Sequence, residues 1–218
     1  MRLTLEALYV LQLFNDSSED LTFLPLTILE GEDRKSALQR TIKKGYDDLK
    51  TEGLIIDGRP TDECMEYGYY LKEYQESSYH YQIDQDYFCA PAIDEFNRMT
   101  VVLRKDEEGR YVIRRLASVL FLSIILKNHQ MLHYLDDRVK DYLHSNYESE
   151  PAFRVFAYHK NDEALRIAVE EFDQSTQDSV YFLDDESLYE YDITNQMQRS
   201  IDGDELCQLI VRKMRVEV

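Results

Sequence analysis

The sequence predicts an α+β protein in which an antiparallel β-sheet meander, built as two quasi-repeated halves, is flanked by N-terminal and C-terminal helical bundles. Three observations predict this class. Apolar residues recur every three or four positions in the first part of the chain, which indicates helices. From residue 79 the period changes to alternation, which indicates strands. A run of short strands followed by a helix then occurs twice, over 79–128 and 152–215, which predicts a divergent internal duplication.

The chain has 218 residues, enough for one domain with a sizeable hydrophobic core. Because no Gly-rich or Pro-rich linker interrupts it, we expect a single domain over 1–218. Within that domain we distinguish a mainly helical part at 1–78, a first sheet and helix half at 79–128 and a second half at 129–218.

Three helices are predicted in the first part. Thr4 can cap a helix over about 4–14. After an extended loop around Pro25, a second helix over 33–52 ends at Gly53, a residue typical of helix stops. A turn at residues 57–60 leads into the third helix at about 61–76. The residues expected to face inward are Leu38, Ile42, Tyr46 and Leu49 on the second helix, and Cys64, Leu71 and Tyr74 on the third.

The first half is predicted to contain four strands and a helix over 116–127. The predicted strands cover residues 79–83, 87–93, 99–104 and 111–115. The last two form a hairpin around an Asp-Glu-Glu-Gly turn. Pro91 cannot donate a hydrogen bond within a sheet, so its strand is expected at an edge or a bulge.

The second half is predicted to begin with a helix over 130–145 and to end with one over 204–214. Its predicted strands cover residues 153–157, 165–169, 180–183 and 188–193. Residues 163–172 fit either a strand or a short helix, because their apolar positions also suit one face of a helix. The parallel with the first half favours a strand.

Charge and cysteine content limit the possible partners and compartments. Acidic residues outnumber Lys and Arg by 43 to 25, a net charge of −18, so nucleic-acid binding is not expected. Three widely spaced cysteines are typical of free thiols in a reducing compartment, which favours the cytoplasm. The N-terminus has no pattern of a signal peptide. The longest apolar stretch, residues 116–126, falls short of the roughly 20 residues that span a membrane, so no membrane insertion is expected.

We find no sequence evidence of catalysis, and neither an enzyme nor a cofactor is predicted. The phosphate-binding glycine motifs are missing. His129 and His133 have the i, i+4 spacing of metal ligands, but no Cys or third His is near them in sequence and the HExxH motif is absent, so no metal site is predicted. Cys89 has no basic neighbour that would activate it, which favours a buried thiol. Adjacent carboxylates are expected at random in so acidic a chain.

Tyrosine is the most distinctive residue of the sequence. The chain has 17 Tyr and no Trp, with a dense group in the acidic stretch 67–87. A tyrosine buries an apolar ring and keeps a polar hydroxyl, which suits protein interfaces. The predicted helix at 130–145 offers a second outward face. The candidate protein-binding residues are Tyr67, Tyr70, Tyr74, Tyr134, Asp137 and Asp141.

The order of these elements resembles the EspG-like cytosolic chaperones of type VII (ESX) secretion. Five segments carry the resemblance: 3–8 (LTLEAL), 23–26 (FLPL), 52–54 (EGL), and the hairpin of 99–103 (MTVVL) with 111–115 (YVIRR). The resemblance implies a central antiparallel sheet with a pseudo-twofold relation and helical bundles around it. The Tyr, Asp, Lys and Ile content departs from the actinobacterial members and points to a low-GC Gram-positive relative.

The resemblance implies a non-enzymatic cytoplasmic chaperone that binds a helical secreted protein, of the PE/PPE or WXG kind, at its apolar tip. The alternative is an acidic immunity protein or antitoxin that masks a basic secreted toxin, which the net charge favours. The identity of the client and the oligomeric state, including a homodimer that covers the sheet edges, stay open.

Overall fold

The computed structural model describes residues 1–15, 19–92, 98–129, 132, 164–184 and 187–217. Its helices are α1 (Leu5–Leu13), α2 (Arg34–Thr51), α3 (Asp62–Glu76), α4 (Ser118–Asn128) and α5 (Gly203–Lys213). Its strands are β1 (Ile55–Ile56), β2 (Arg59–Pro60), β3 (Tyr79–Ile83), β4 (Tyr87–Pro91), β5 (Met99–Lys105), β6 (Tyr111–Ala117), β7 (Ala164–Glu171), β8 (Gln174–Asp184), β9 (Ser187–Asp192) and β10 (Met197–Ile201).

An eight-stranded antiparallel sheet forms the centre of the fold, in the order β10-β9-β8-β7-β3-β4-β5-β6. Each half is a four-stranded meander, β3 to β6 followed by α4 and β7 to β10 followed by α5. The first strands of the two meanders pair with each other in an antiparallel register centred on Tyr81 and Val169. This arrangement relates the halves by an approximate twofold axis. The predicted α+β class with two repeated halves is confirmed.

Helices cover both faces of the sheet. The three N-terminal helices pack on the face that carries Phe88, Val101 and Leu103 and form one apolar core with it. Helices α4 and α5 pack on the opposite face and form a second core around Tyr81 and Ile167. The sheet therefore separates the N-terminal helices from the two helices that close the repeats.

The predicted starts of α1, α2 and α3 hold because a side chain caps each of these helices at its N-terminus. Thr4 accepts a hydrogen bond from the backbone N–H of Ala7, and Thr61 accepts one from Cys64. Asp33 caps α2 through Ser36 in the same way. The helix predicted at 116–127 begins two residues later, at Ser118.

The buried face of α2 differs from the prediction. Small residues, not large ones, form its contact with α1, because Ala37, Thr41 and Gly45 are buried. The expected inward residues Leu38, Ile42 and Tyr46 are only partly buried and flank this seam, while Leu49 is fully buried as predicted. Small side chains let the two helix backbones approach closely.

The strands also bring corrections. β4 lies between β3 and β5, so Pro91 is not on an edge strand. It is the last residue of an interior strand, where it pairs with Thr100. β8 begins earlier than predicted, directly after a turn at Phe172 and Asp173. β10 was not predicted at all.

The ambiguous segment 163–172 contains strand β7, as the repeat predicts. The predicted helix at 130–145 and the predicted strand at 153–157 lie outside the described residues, apart from Leu132. In the described part of the chain, every helix is too short or too polar to cross a lipid bilayer.

Candidate functional site

Helix α3 carries the part of the candidate protein-binding surface that the structure describes. One side of the helix packs against α1 and strands β4 to β6. Its N-terminus is capped by Thr61 and has acidic residues in the first turn, which the helix dipole favours. At mid-helix, Asn15 donates a side-chain hydrogen bond of 2.8 Å to the carbonyl oxygen of Gly68 and thereby fixes the end of α1. The opposite side of α3 faces outward.

Two of the predicted tyrosines on this helix, Tyr67, which is buried in the core, and Tyr70, which is half-buried, are each bonded to a glutamate one turn earlier. The hydroxyl of Tyr67 donates to Glu63 at 2.7 Å, and the hydroxyl of Tyr70 donates to Glu66. Burial, followed by the bond to Glu63, raises the pKa of Tyr67 to about 12. The bond to Glu66 is the main cause that raises the pKa of Tyr70. These bonds hold both carboxylates in fixed positions on the surface.

Tyr74 belongs to the core. It is fully buried, and its hydroxyl donates a 2.7 Å hydrogen bond to the carbonyl oxygen of Thr22. Its inward orientation on α3 is confirmed, whereas its assignment as a surface contact is wrong for this structure. The other candidate residues, Tyr134, Asp137 and Asp141, lie outside the described residues.

Two exposed apolar residues on α3 were not among the predicted site residues. Met65 is 54% exposed and Tyr69 is 49% exposed, and they stand one helical turn apart. The rings of Tyr69 and Tyr70 meet edge to face with centroids 6.2 Å apart. Met65, Tyr69 and Tyr70, with the carboxylates Glu63 and Glu66, form what we call the α3 surface. The i, i+4 spacing of Met65 and Tyr69 was the signal that could have identified it.

The residues considered for metal binding or catalysis have structural partners. The Nδ1 atom of His129 lies 2.8 Å from the carbonyl oxygen of Ile125, and its Nε2 atom contacts the carboxylate of Asp84. This pair joins the end of α4 to the turn between β3 and β4. Cys89 is fully buried, and burial raises the pKa of its thiol well above the ordinary value. His133 lies outside the described residues, and no group of three metal-ligating side chains is found within them.

A serine and a lysine meet beneath α5. The Nζ atom of Lys213 donates a 3.0 Å hydrogen bond to the hydroxyl of Ser179 and lies 5.4 Å from the ring centroid of Tyr181. Burial lowers the pKa of Lys213. These residue types occur in serine and lysine catalytic pairs. Because Ser179 and Lys213 are each only 4% exposed, we interpret the pair as an internal contact that fixes α5 on the sheet.

No protein-family model matches the chain, and no curated protein sequence matches it.

Proposed function

We propose that this protein is a non-enzymatic cytoplasmic chaperone or adaptor that holds a helical secreted client, and that the α3 surface contributes to client binding. The observation that carries the proposal is the exposure of Met65 and Tyr69 at helical spacing beside two fixed carboxylates. Exposed aromatic and Met side chains with a polar rim are typical of protein interfaces. A client helix would lay its own apolar residues along this stripe.

The class of client comes from the resemblance to EspG-like chaperones of type VII secretion. Two features of the fold support it: the central antiparallel sheet and the approximate twofold relation of its halves. By this resemblance the client is a small helical protein of the PE/PPE or WXG kind, held by its apolar tip until export.

The test is co-expression of the full chain with helical secreted proteins encoded near it, followed by purification and measurement of the complex. We expect a stable complex with one of them. The double variant Met65→Ser/Tyr69→Ser should bind that client at least tenfold more weakly, because central apolar contacts contribute on the order of 2 kcal/mol each. A matched control is Leu29→Ser/Met197→Ser, which removes exposed apolar residues elsewhere. It should bind like the wild type.

Two results would contradict the proposal. If the wild-type chain forms no complex with any such client, the chaperone assignment fails. If the α3 double variant binds as tightly as the control variant, the client is held elsewhere and the α3 surface is not its site.

The alternative function, an acidic immunity protein or antitoxin, is favoured by the net charge of −18. Salt separates the two proposals. An inhibitor that binds a basic toxin through charge should lose affinity steeply as ionic strength rises. A chaperone that binds an apolar helix tip should retain its client at both low and high salt. The immobilised complex is therefore washed at low and at high salt, and the amount of client that remains bound is measured.

A further inference from the structure

A groove opens on the sheet face opposite the N-terminal helices, between α4 and strands β4 to β6. Its volume is about 500 Å³, within the range of small-molecule sites. The groove begins near Leu116, where β6 leads into α4, and reaches Lys127 and Asn128 at the end of that helix. Its lining residues are Tyr87, Val102, Arg104, Val112, Arg114, Leu116, Phe121, Ile124, Lys127 and Asn128.

Apolar and cationic side chains both line this groove. Val102, Val112, Leu116, Phe121 and Ile124 supply an apolar lining from two strands and one helix. Arg104 and Lys127 lie towards the polar end, where Asn128 donates a 3.0 Å hydrogen bond to the hydroxyl of Tyr87. On β6, Arg114 lies directly across from Val102. The groove therefore offers an apolar wall and a positive rim at once.

The three cations have no carboxylate partner among the described residues. Arg104 lies over the ring of Tyr87, with 5.8 Å between its guanidinium carbon and the ring centroid, and neither Arg114 nor Lys127 forms an ion pair there. No acidic residue lines the groove in the described part of the chain. The described lining of the groove is thus positively charged, although the whole chain has a net charge of −18. A bound anion would offset the mutual repulsion of the three cations.

We propose that this groove binds an anionic amphiphile, a small molecule that joins a carboxylate or phosphate group to an apolar chain. The anionic group lies among Arg104, Arg114 and Lys127, and the apolar chain lies on Leu116, Ile124 and their neighbours. Arg side chains suit both anions because they present paired N–H donors. The site lies on the other face of the sheet from the α3 surface and does not depend on the proposed chaperone function.

The test uses simple amphiphiles as probes, with binding to the full-length protein measured by isothermal titration calorimetry. Decanoate and decyl phosphate present the two anions on the same chain, and methyl decanoate presents the chain without charge. Acetate and inorganic phosphate present the charge without the chain. We expect at least one of the two anionic amphiphiles to bind at least tenfold more tightly than the ester and than its own head group alone. The tighter of the two shows which head group the groove prefers.

The variant for this test is Arg104→Gln/Arg114→Gln. Both side chains are exposed, so the fold should tolerate the change, and thermal unfolding checks this. We expect at least a tenfold loss of affinity for the anionic amphiphile and no change for the ester. The matched control is Lys35→Gln/Lys43→Gln on α2, which removes the same charge from exposed positions on the other side of the sheet and should leave binding unchanged.

Several outcomes would overturn the proposal. One is equal affinity for the anionic amphiphile and its ester, and another is equal affinity of the groove variant and the control variant. A third is that no amphiphile binds the wild-type protein. If the groove variant then changes the oligomeric state in sedimentation, the groove is an interface between copies of the chain. If instead the groove variant alone loses a protein client, the groove is part of a protein-binding surface.

Discussion

Gly45 on α2 lies so close to Glu6 on α1 that a Cβ atom at position 45 would stand 2.1 Å from the Glu6 carbonyl oxygen. The obstructing atoms belong to the helix backbone, which cannot rotate aside as a side chain can. Polar contacts hold the two helices at this separation. The hydroxyl of Thr4 donates to Asp48 at 2.6 Å, and Lys44 forms a 2.7 Å ion pair with Glu6. The two helices are therefore fixed at a distance that only glycine permits.

Gly45→Ala should lower the free energy of unfolding by about 3 kcal/mol, the upper end of the usual cost of overpacking, because the helices must separate. Gly68→Ala is the control. Position 68 also faces α1 within a helix, but its nearest neighbour would be 3.9 Å away. That change should raise stability by about 0.5–1 kcal/mol, since alanine loses less backbone entropy than glycine. Chemical denaturation of both variants measures the difference, and equal effects would contradict the close approach.

The ion pair of Glu73 and Arg115 joins α3 to β6. The Nε atom of Arg115 lies 2.9 Å from a carboxylate oxygen of Glu73, and their side chains are 18% and 4% exposed. Arg115→Met leaves the buried carboxylate without this cation and should cost about 3–5 kcal/mol of stability. Adding Glu73→Leu should recover much of that loss. Lys72→Met removes an exposed pair with Glu76 and should cost less than about 1 kcal/mol in the same denaturation experiment.

The cysteines provide a chemical test of the core. Cys64, Cys89 and Cys207 are all buried, and burial raises the pKa of Cys64 and of Cys89. Because the thiolate is the reactive form, none should react with an aromatic disulfide reagent in the native protein. All three should react in denaturant. Met197→Cys adds an exposed thiol that should react at once, and rapid reaction of a native cysteine would contradict the packing of its core.

His80 makes stability depend on pH. Burial lowers its pKa, although the bond of its Nε2 atom to the carbonyl oxygen of Tyr74, 2.6 Å away, and the charge of Asp173 oppose this. The unfolded chain, with a histidine pKa of about 6.5, binds the proton more tightly than the folded one. The free energy of unfolding should therefore fall as pH drops through about 6.5 and stop falling below the folded pKa.

The comparison of wild type with His80→Phe isolates this effect from the other acidic groups, including Glu170, which pairs with His80 across β3 and β7. Denaturation at about pH 7.5 and about pH 5.5 should show a larger loss of stability for the wild type. Equal losses would mean that His80 does not titrate between these pH values.

The strands that bury a full face were predictable, and those that do not were missed. β3 alternates Tyr79, Tyr81 and Ile83 because that face enters the core. β10 is an edge strand with four of its five residues exposed, so its sequence carries no alternation to detect. The turn before β8 was missed because Phe172 and Asp173 adopt positive φ angles without a glycine.

In the candidate site, too, some features were predictable from the sequence and others were not. Helical spacing placed Tyr74 inward with Cys64 and Leu71, and it lies there. Its assignment to the surface rested on the enrichment of tyrosine in this segment, and enrichment does not tell whether a given side chain points inward or outward. The groove beside α4 could not be predicted, because Arg104, Arg114 and Lys127 come together only once two strands and a helix are in place.

Because β3 pairs with β7, the edge of the first half stays uncovered until the second half has been synthesised. When the ribosome has released the first half, β3 is still the edge of a four-stranded sheet, and its peptide groups have no neighbour until β7 is made. An open edge rich in aromatic residues invites pairing between nascent chains. The pairing of β3 with β7 therefore covers an edge along which new chains would otherwise pair, and it also joins the two repeats.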